Sequence, residues 1–425
     1  MSIRRLVYSL VLYLILPFVF LRLWWRGRAN PAYRQRWSER LALTRFPKTG
    51  CPVIVLHVVS VGETMAALPL AEQLLLEFPE HTLWLTSITP TGSDTVRRLL
   101  GERVAHSYLP YDLPDAVQRF LNQVQPRLFL VMETELWPNL YAACAQRHIP
   151  LLLLNARLSE RSMRGYQHLA ALVRETLQAI TVIAARENED ARRFQQLGAP
   201  SSKVQVSGNI KFDLRINSAI TETAQALRAQ WGQRRVWVAG STHAGEETCL
   251  LQVQQQLRQH WPDVLLILVP RHPERFDSVA ELCRAQHLSA VRRSEARQPE
   301  PTTAVLLGDS MGELVFWYAL ADMAFIGGSL VDVGGHNPLE AAIWGVPVLT
   351  GPYTHNTRDI YPALIAVGGA IQVESASDLS HHLLDWLSNN EKRQAAGKAA
   401  QQFLMQHQGV VGRLMQTIRS IMDNE

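Results

Sequence analysis

Met323-Ala-Phe-Ile326-Gly327-Gly328-Ser329-Leu-Val-Asp-Val-Gly334-Gly335-His336-Asn337-Pro338-Leu339-Glu340 is the stretch on which the fold turns. Met323 to Ile326 reads as a short buried strand. The glycines let the backbone turn tightly and approach a ligand closely. Pro338 suits the first position of a helix, where a missing N–H costs nothing, and Leu339 to Ile343 continues in a helical pattern. The N–H groups of that helix start would attract a phosphate. Glu340, one turn in, is placed to accept hydrogen bonds from sugar hydroxyls. Strand, glycine turn, helix start and acid together predict a nucleotide or nucleotide-sugar site. On this local pattern alone, a glycine-rich connection remains the alternative.

The same rhythm extends in both directions. Upstream, β-rich runs at 53–58, 82–86, 128–132, 151–155, 182–184 and 204–206 alternate with helix-length stretches such as 64–78. Further runs lie at 236–239, 264–269, 304–307, 323–326 and 346–349. Alternation of this kind indicates parallel sheet with crossover helices. The chain, at 425 residues, is too long for one ordinary core. We expect two doubly wound, Rossmann-like α/β domains with a central cleft. The expected boundaries are an anchor over 1–28, a first domain over 29–215, a connection over 216–235, a second domain over 236–408 and a terminal helix over 409–425. Val411, Leu414, Met415, Ile418, Ile421 and Met422 give that last helix one apolar face.

Apolar content of 47% and charged content of 19% describe a folded protein. The four cysteines (Cys51, Cys144, Cys249, Cys283) are widely spaced, without zinc-ribbon spacing or a disulfide signature. A reducing, cytoplasmic setting fits the bulk of the chain.

Leu6 to Leu21 holds sixteen consecutive uncharged residues. As a helix they would be about 24 Å long, slightly short of a ~30 Å hydrocarbon core. Trp24 and Trp25 supply an interfacial aromatic anchor. Eight basic residues (Arg22, Arg26, Arg28, Arg34, Arg36, Arg40, Arg45, Lys48) follow against one acid, Glu39. They would draw the chain onto anionic head groups and place the large C-terminal part on the cytoplasmic side. No small-residue cleavage site follows, which argues against a cleaved signal peptide. Apolar residues all round the helix argue against an ordinary buried one. Pro17 leaves a bent or half-inserted helix open beside a straight span. The basic excess sits beside this segment and not on a reading helix, so nucleic-acid binding is not expected.

Candidate chemistry lies after the strands. Ser60-Val61-Gly62-Glu63-Thr64 follows the first, where ligand groups gather in open α/β sheets. Glu63 suits a general base if its pKa matches the task; a helix-start acid favoured by the dipole is the other reading. Met132-Glu133-Thr134-Glu135-Leu136-Trp137 repeats the arrangement. Acids at i and i+2 share one face only if the strand continues through them, so one at most is expected to face a ligand, and Thr134-Glu135 could merely begin a helix. Lys211, in Ser207-Gly208-Asn209-Ile210-Lys211-Phe212-Asp213, can neutralise a carboxylate or phosphate or stand solvated. In Val269-Pro270-Arg271-His272-Pro273-Glu274-Arg275, Arg271 offers a fork to phosphate, with a double-proline turn as the alternative. Asp309-Ser310-Met311-Gly312-Glu313-Leu314 and Gly240-Ser241-Thr242-His243 are further strand-end segments. Asp-x-Asp, Walker A, His-Glu-x-x-His and Gly-x-Ser-x-Gly are all absent. Helix starts and basic side chains, rather than a metal, are expected to hold a leaving nucleotide.

In combination these segments resemble the bacterial 3-deoxy-D-manno-octulosonic acid (Kdo) transferases. The resemblance also takes in Leu23-Trp24 with Arg26-Gly27-Arg28, Leu109-Pro110-Tyr111-Asp112, Pro138-Asn139 and Asn155-Ala156-Arg157, and so covers nearly the whole chain. It implies a membrane-associated GT-B glycosyltransferase that moves Kdo from CMP-Kdo to the lipid A precursor, a tetra-acyl disaccharide bisphosphate, in lipopolysaccharide core biosynthesis. The anomeric centre would be inverted, at the cytoplasmic side of the cell inner membrane. It further implies Glu63 as proton acceptor, with Glu133 and Lys211 stabilising the transition state. Pro270, Arg271, Met311, Gly312, Glu313, Asn337, Pro338, Leu339 and Glu340 would bind the CMP portion in the second domain, and the first domain would bind the acceptor. No metal and no cofactor are expected. Two rivals share some of these features: a nucleotide-sugar epimerase of GT-B shape, and a non-catalytic adaptor that binds anionic lipid.

Overall fold

A computed structural model describes residues 2–214 and 216–423; Arg215, the expected end of the first domain, lies outside them. The chain divides into two compact units, Met1–Asp213 with Gly409–Glu425, and Leu214–Gln408.

In the first unit the strands are β1 (Val53–His57), β2 (Thr82–Ser87), β3 (Ala105–Tyr108), β4 (Pro126–Met132), β5 (Leu151–Ala156), β6 (Val182–Ala185) and β7 (Val204–Val206). All pair in parallel, in the order β3-β2-β1-β4-β5-β6-β7. The central strands are buried on both faces, and their runs of Val, Leu and Ile are what a sheet covered on two sides requires. The chain leaves β1 toward β2 and returns to β1's other side as β4, so the winding reverses between β1 and β4. In such sheets ligands bind beyond the strand ends at that reversal.

The second unit repeats the plan with β8 (Val236–Thr242), β9 (Leu265–Pro270), β10 (Ala290–Arg292), β11 (Val305–Leu307), β12 (Met323–Ile326), β13 (Val348–Thr350) and β14 (Ala370–Gln372). Its order is β10-β11-β9-β8-β12-β13-β14, again all parallel, with the reversal between β8 and β12. Three strands went unpredicted: β3, β10 and β14. Each lies at a sheet edge, is only three or four residues long, and carries polar residues such as His106, Arg292 or Gln372. Edge strands bury one flank only and give no long apolar run.

Two helices matter for the site. Helix α1 (Ile3–Arg26) exceeds the predicted apolar run, and its 24 residues measure about 36 Å. It is long and apolar enough to cross a membrane. It is nonetheless two-faced. Arg5, Tyr8, Ser9, Leu12, Leu16, Val19, Phe20 and Leu23, spaced by three and four, turn toward the first unit. Ser2 donates to the Glu175 carboxylate (2.6 Å), and the Asn139 amide donates to Ser9 Oγ (3.0 Å). Phe20 packs on the rings of Trp37 and Tyr111. On the opposite face Ile3, Leu14 and Phe18 are exposed by 80%, 74% and 69%. Helix α2 (Val61–Glu77) starts just after β1. The terminal helix Val410–Asp423 buries Val411, Leu414, Met415 and Ile418 against α2, inside the first unit's core. Asp213 fixes its start by accepting the N–H groups of Gly409 and Val411.

Candidate active site

The first unit's reversal point is lined by acids. Ser60 caps α2, its Oγ accepting the Glu63 N–H, and the Glu63 carboxylate folds back to accept from the Val59 N–H (2.8 Å) and Ser60 Oγ (3.4 Å). Serine at the cap and glutamate three residues on form a capping box. Glu63 is therefore the helix-start acid, and it is more than that. Burial pushes its pKa from 4.5 to about 7, against the pull of the Val59 N–H, and the nearby charges of Glu133 and Glu135 raise it further. A carboxyl half-ionised near neutrality is suited to accepting a proton.

Glu133 sits immediately beyond β4 with φ of +58°. A non-glycine residue held there costs on the order of 1 kcal/mol or more and persists where the surroundings impose it. This turn also changes the expectation for the two acids. The strand does end at Met132, yet the left-handed turn at Glu133 leaves both carboxylates near Glu63, where one at most was expected. Burial raises Glu135, opposed by the Trp137 indole N–H that it accepts (3.1 Å). Lys211 sits on the 3-10 turn Ile210–Phe212, which packs against α2. Asn155 Oδ1 holds that turn by accepting the Ile210 N–H (3.1 Å), and Asn209 Oδ1 accepts the N–H of Lys211 itself (3.1 Å). Glu63, Glu133 and Glu135 thus form one group, with Lys211 carried on the turn beside α2.

The second unit gathers its candidates at the carboxyl ends of β8, β9, β11 and β12. Arg271 follows β9 directly and lies near enough to Glu340 to oppose the burial that raises that carboxyl to about 7. Arg275, from the same motif, is paired with the buried Glu247 (3.0 Å), whereas Arg271 makes no ion pair with a carboxylate among the described residues. Glu313 is held by Arg293 (3.0 Å) and by the Ser310 hydroxyl, which together keep it below the usual carboxylate range. Met311 and Gly312 stand on the exposed turn before it. Pro270 is buried at the end of β9. Asn337 Oδ1 accepts the Leu339 N–H (3.2 Å). The Leu339 side chain is fully buried and can offer a ligand only its backbone.

Two expectations for the glycine run need correction. The helix after Pro338 is one turn, Leu339–Ala342, and has little macrodipole to direct at a phosphate. The loop is also already occupied by an anion of the protein's own. The fully buried Glu246 carboxylate accepts the N–H groups of Gly328 (2.8 Å), Ser329 (3.0 Å), Leu330 (3.0 Å) and His243 (2.9 Å). The glycines are still required. A Cβ on Gly327 would stand 2.4 Å from the Ser241 carbonyl oxygen, and Gly328 has φ of +67°. The later part of the run, Asn337 to Glu340, is not engaged by Glu246. Beside it, His243 and His336 stack at 5.1 Å with their Nε2 atoms 2.8 Å apart, and His272 stands edge-on to His243 at 5.2 Å. Burial holds His336 down at about 4 and lowers His243 as well, which favours the uncharged form of both rings.

Residues 35–214 match the family model of 3-deoxy-D-manno-octulosonic-acid transferases, and residues 250–403 match that of group 1 glycosyl transferases. The chain is 40% identical to the 3-deoxy-D-manno-octulosonic acid transferase of Haemophilus influenzae, covering 99% of both chains. It belongs to this family. The Bordetella pertussis transferase is 37% identical over 97% of this chain and 98% of its own. A glycosyltransferase from Rickettsia africae superposes with a TM-score of 0.58 at 12% identity, over 89% of this chain and all of that one. A UDP-GlcNAc 2-epimerase from Neisseria meningitidis does so with a TM-score of 0.58 at 15%, over 88% and 100%. At such identities these likenesses establish only the GT-B architecture.

In this glycosyltransferase three features escaped the sequence. The joint placement of Glu133 and Glu135 runs against the expectation that one acid at most faces a ligand once the strand stops. The paired histidines lie in quoted motifs, but 93 residues separate them. Nothing local in the sequence marks Glu246 as the glycine loop's partner.

Proposed function

We infer that the transferase moves Kdo from CMP-Kdo onto a glucosamine hydroxyl of the lipid A precursor, with inversion and with Glu63 as base. The observation that carries this is the Glu63 carboxyl at the first unit's reversal point, shifted to about 7 beside Glu133 and Glu135. Glu63 takes the hydroxyl proton as the oxygen attacks the anomeric carbon. The bond from that carbon to the CMP phosphate breaks, and CMP leaves with its electrons. Positive charge develops on the sugar ring and negative charge on the phosphate. Glu133 offsets the first, Lys211 and Arg271 the second. Asn337, Pro338, the Leu339 backbone and Glu340 hold the ribose and base, with Met311, Gly312 and Glu313 on the neighbouring turn. No metal takes part in this reading.

The relatives' shared name supports Kdo as the transferred sugar and this assignment over the epimerase. The exposed apolar face of α1 and the arginines after it support attachment to the cytoplasmic side of the inner membrane. Arg26, Arg28 and Arg34 lie over the rings of Tyr33 and Trp24, a basic and aromatic shelf suited to anionic head groups. The test is transfer from CMP-Kdo to the bisphosphorylated lipid acceptor, with the product weighed by mass spectrometry. A product lacking Kdo, or near-normal turnover by folded Glu63→Gln protein, would overturn the assignment.

A further inference from the structure

Where α1 lies along the first unit it does not close completely. A groove of about 110 Å³ remains, with Tyr8, Leu12, Ile15, Leu16 and Val19 on one wall and Tyr111, Asp112, Leu113 and Trp137 on the other, the Asp112 carboxylate being engaged by the N–H groups of Asn139 and Leu140. It follows α1 for about three turns. One flank opens onto the bare apolar face, because Ile15 lines the groove and is itself exposed by 46%. The other flank reaches the acids. Trp137, whose ring forms the groove wall, donates its indole N–H to Glu135 and stands edge-on to His57 of β1. An engineered apolar cavity of about 150 Å³ takes up benzene, so this space accommodates a short run of methylenes.

Resting on the transferase reading above, we propose that the groove seats the first methylenes of one acyl chain of the lipid acceptor. One molecule would then be held at two points. Its chain lies between α1 and Trp137, and its sugar hydroxyl stands at Glu63. The occupant is an acyl chain attached to a polar, anionic head, for two reasons. The groove is continuous with the apolar face that would meet the bilayer, and the arginine shelf at the end of α1 complements phosphates. The groove therefore sets register. The chain fixes how far the headgroup stands from the membrane and which hydroxyl reaches the base.

The test uses the full chain with Leu12→Trp or Leu16→Trp, two substitutions that fill the groove from a half-buried helix face. CMP-Kdo is the donor. The acceptors are the tetra-acyl disaccharide bisphosphate and its fully deacylated counterpart. Losing room for about two methylenes predicts a roughly tenfold rise in KM for the acylated acceptor, with kcat unchanged and with KM for the deacylated acceptor unchanged. Sedimentation with phosphatidylglycerol-containing vesicles should match wild type. Equal KM changes for both acceptors, or none for either in both variants, would overturn the slot. So would a parallel loss of vesicle binding, which would show that the groove serves attachment through bulk lipid. Wild-type protein inert toward both acceptors would overturn the transferase reading itself.

Discussion

The two reversal points use the same architecture to opposite electrostatic ends. In the first unit, three carboxylates are crowded after β1 and β4, Glu63 is raised to about 7, and Glu133 is held in a left-handed turn. In the second, the carboxylate nearest the reversal, Glu246, is saturated by four backbone N–H groups. One acid site has few donors and sits near neutrality; the other is saturated and structural. Position in the fold alone does not make a catalytic group. What separates Glu63 from Glu246 is the supply of donors around each.

That contrast is broken most directly at Glu63. Glu63→Gln keeps an oxygen for the Val59 N–H but cannot take a proton, so kcat should fall by about 10²–10⁴ while thermal stability changes little. In wild type, kcat/KM should rise with pH through about 7, because the base must be ionised. A pH profile flat from 5 to 8 would remove Glu63 from the role.

The counterpart is Glu246→Gln, a substitution of equal shape. It leaves at least one buried N–H facing an amide NH2, at a cost of about 3 kcal/mol in unfolding free energy. Its loss should be in stability and that of Glu63→Gln in rate. A stable Glu246→Gln protein with low turnover would collapse the distinction.

Much of this was legible from residue order. The glycine run, the Pro-Arg-His-Pro motif and Ser-Val-Gly-Glu each stand at a strand's carboxyl end, since glycine, proline and cap residues have local causes. The long-range partners were not legible. Arg271 and Arg275 sit four residues apart in one motif, yet Arg275 is spent on Glu247 because helix Glu246–His260 brings that acid beneath it. Glu133 and Glu135 could not be placed together without knowing the left-handed turn that Glu133 makes after Met132. The two faces of α1 were invisible for a similar reason: Tyr8, Leu12 and Leu16 are as apolar as Val11 and Leu14, and only the unit beneath them separates the two sets.

The arginine pair sharpens the comparison within the second unit. Arg271→Ala should raise KM for CMP-Kdo by about 10–100-fold, the worth of a charge-assisted hydrogen bond. Arg275→Ala should instead lower stability by stranding Glu247. Donor titration and chemical denaturation of both variants decide it; equal KM effects would show that the pairing with Glu247 does not commit Arg275.

The smallest effect concerns pH, and the units should differ in sign. Burial raises Asp112 in the first unit to about 7, although it accepts the N–H groups of Asn139 (2.9 Å) and Leu140 (2.8 Å). In the second unit burial also pushes Asp309 up, but Ser294 and Arg292 outweigh it and hold the carboxyl below its ordinary value. A raised folded pKa stabilises below the unfolded value of 3.8, and that contribution is lost as pH rises through about 7. A depressed one stabilises above the unfolded value and is lost as pH falls through the folded pKa. Between pH 4 and 7, then, Asp112 makes the first unit less stable with rising pH, while Asp309 supports the second. Asp112→Asn removes the titration and should flatten the first unit's slope by about 1 kcal/mol or more over that window. Urea denaturation at pH 4.5, 6 and 7.5 measures it. The slope is the readout, because the amide also loses an acceptor and lowers the baseline at every pH. An unchanged slope in Asp112→Asn would mean that this buried carboxyl is ionised throughout.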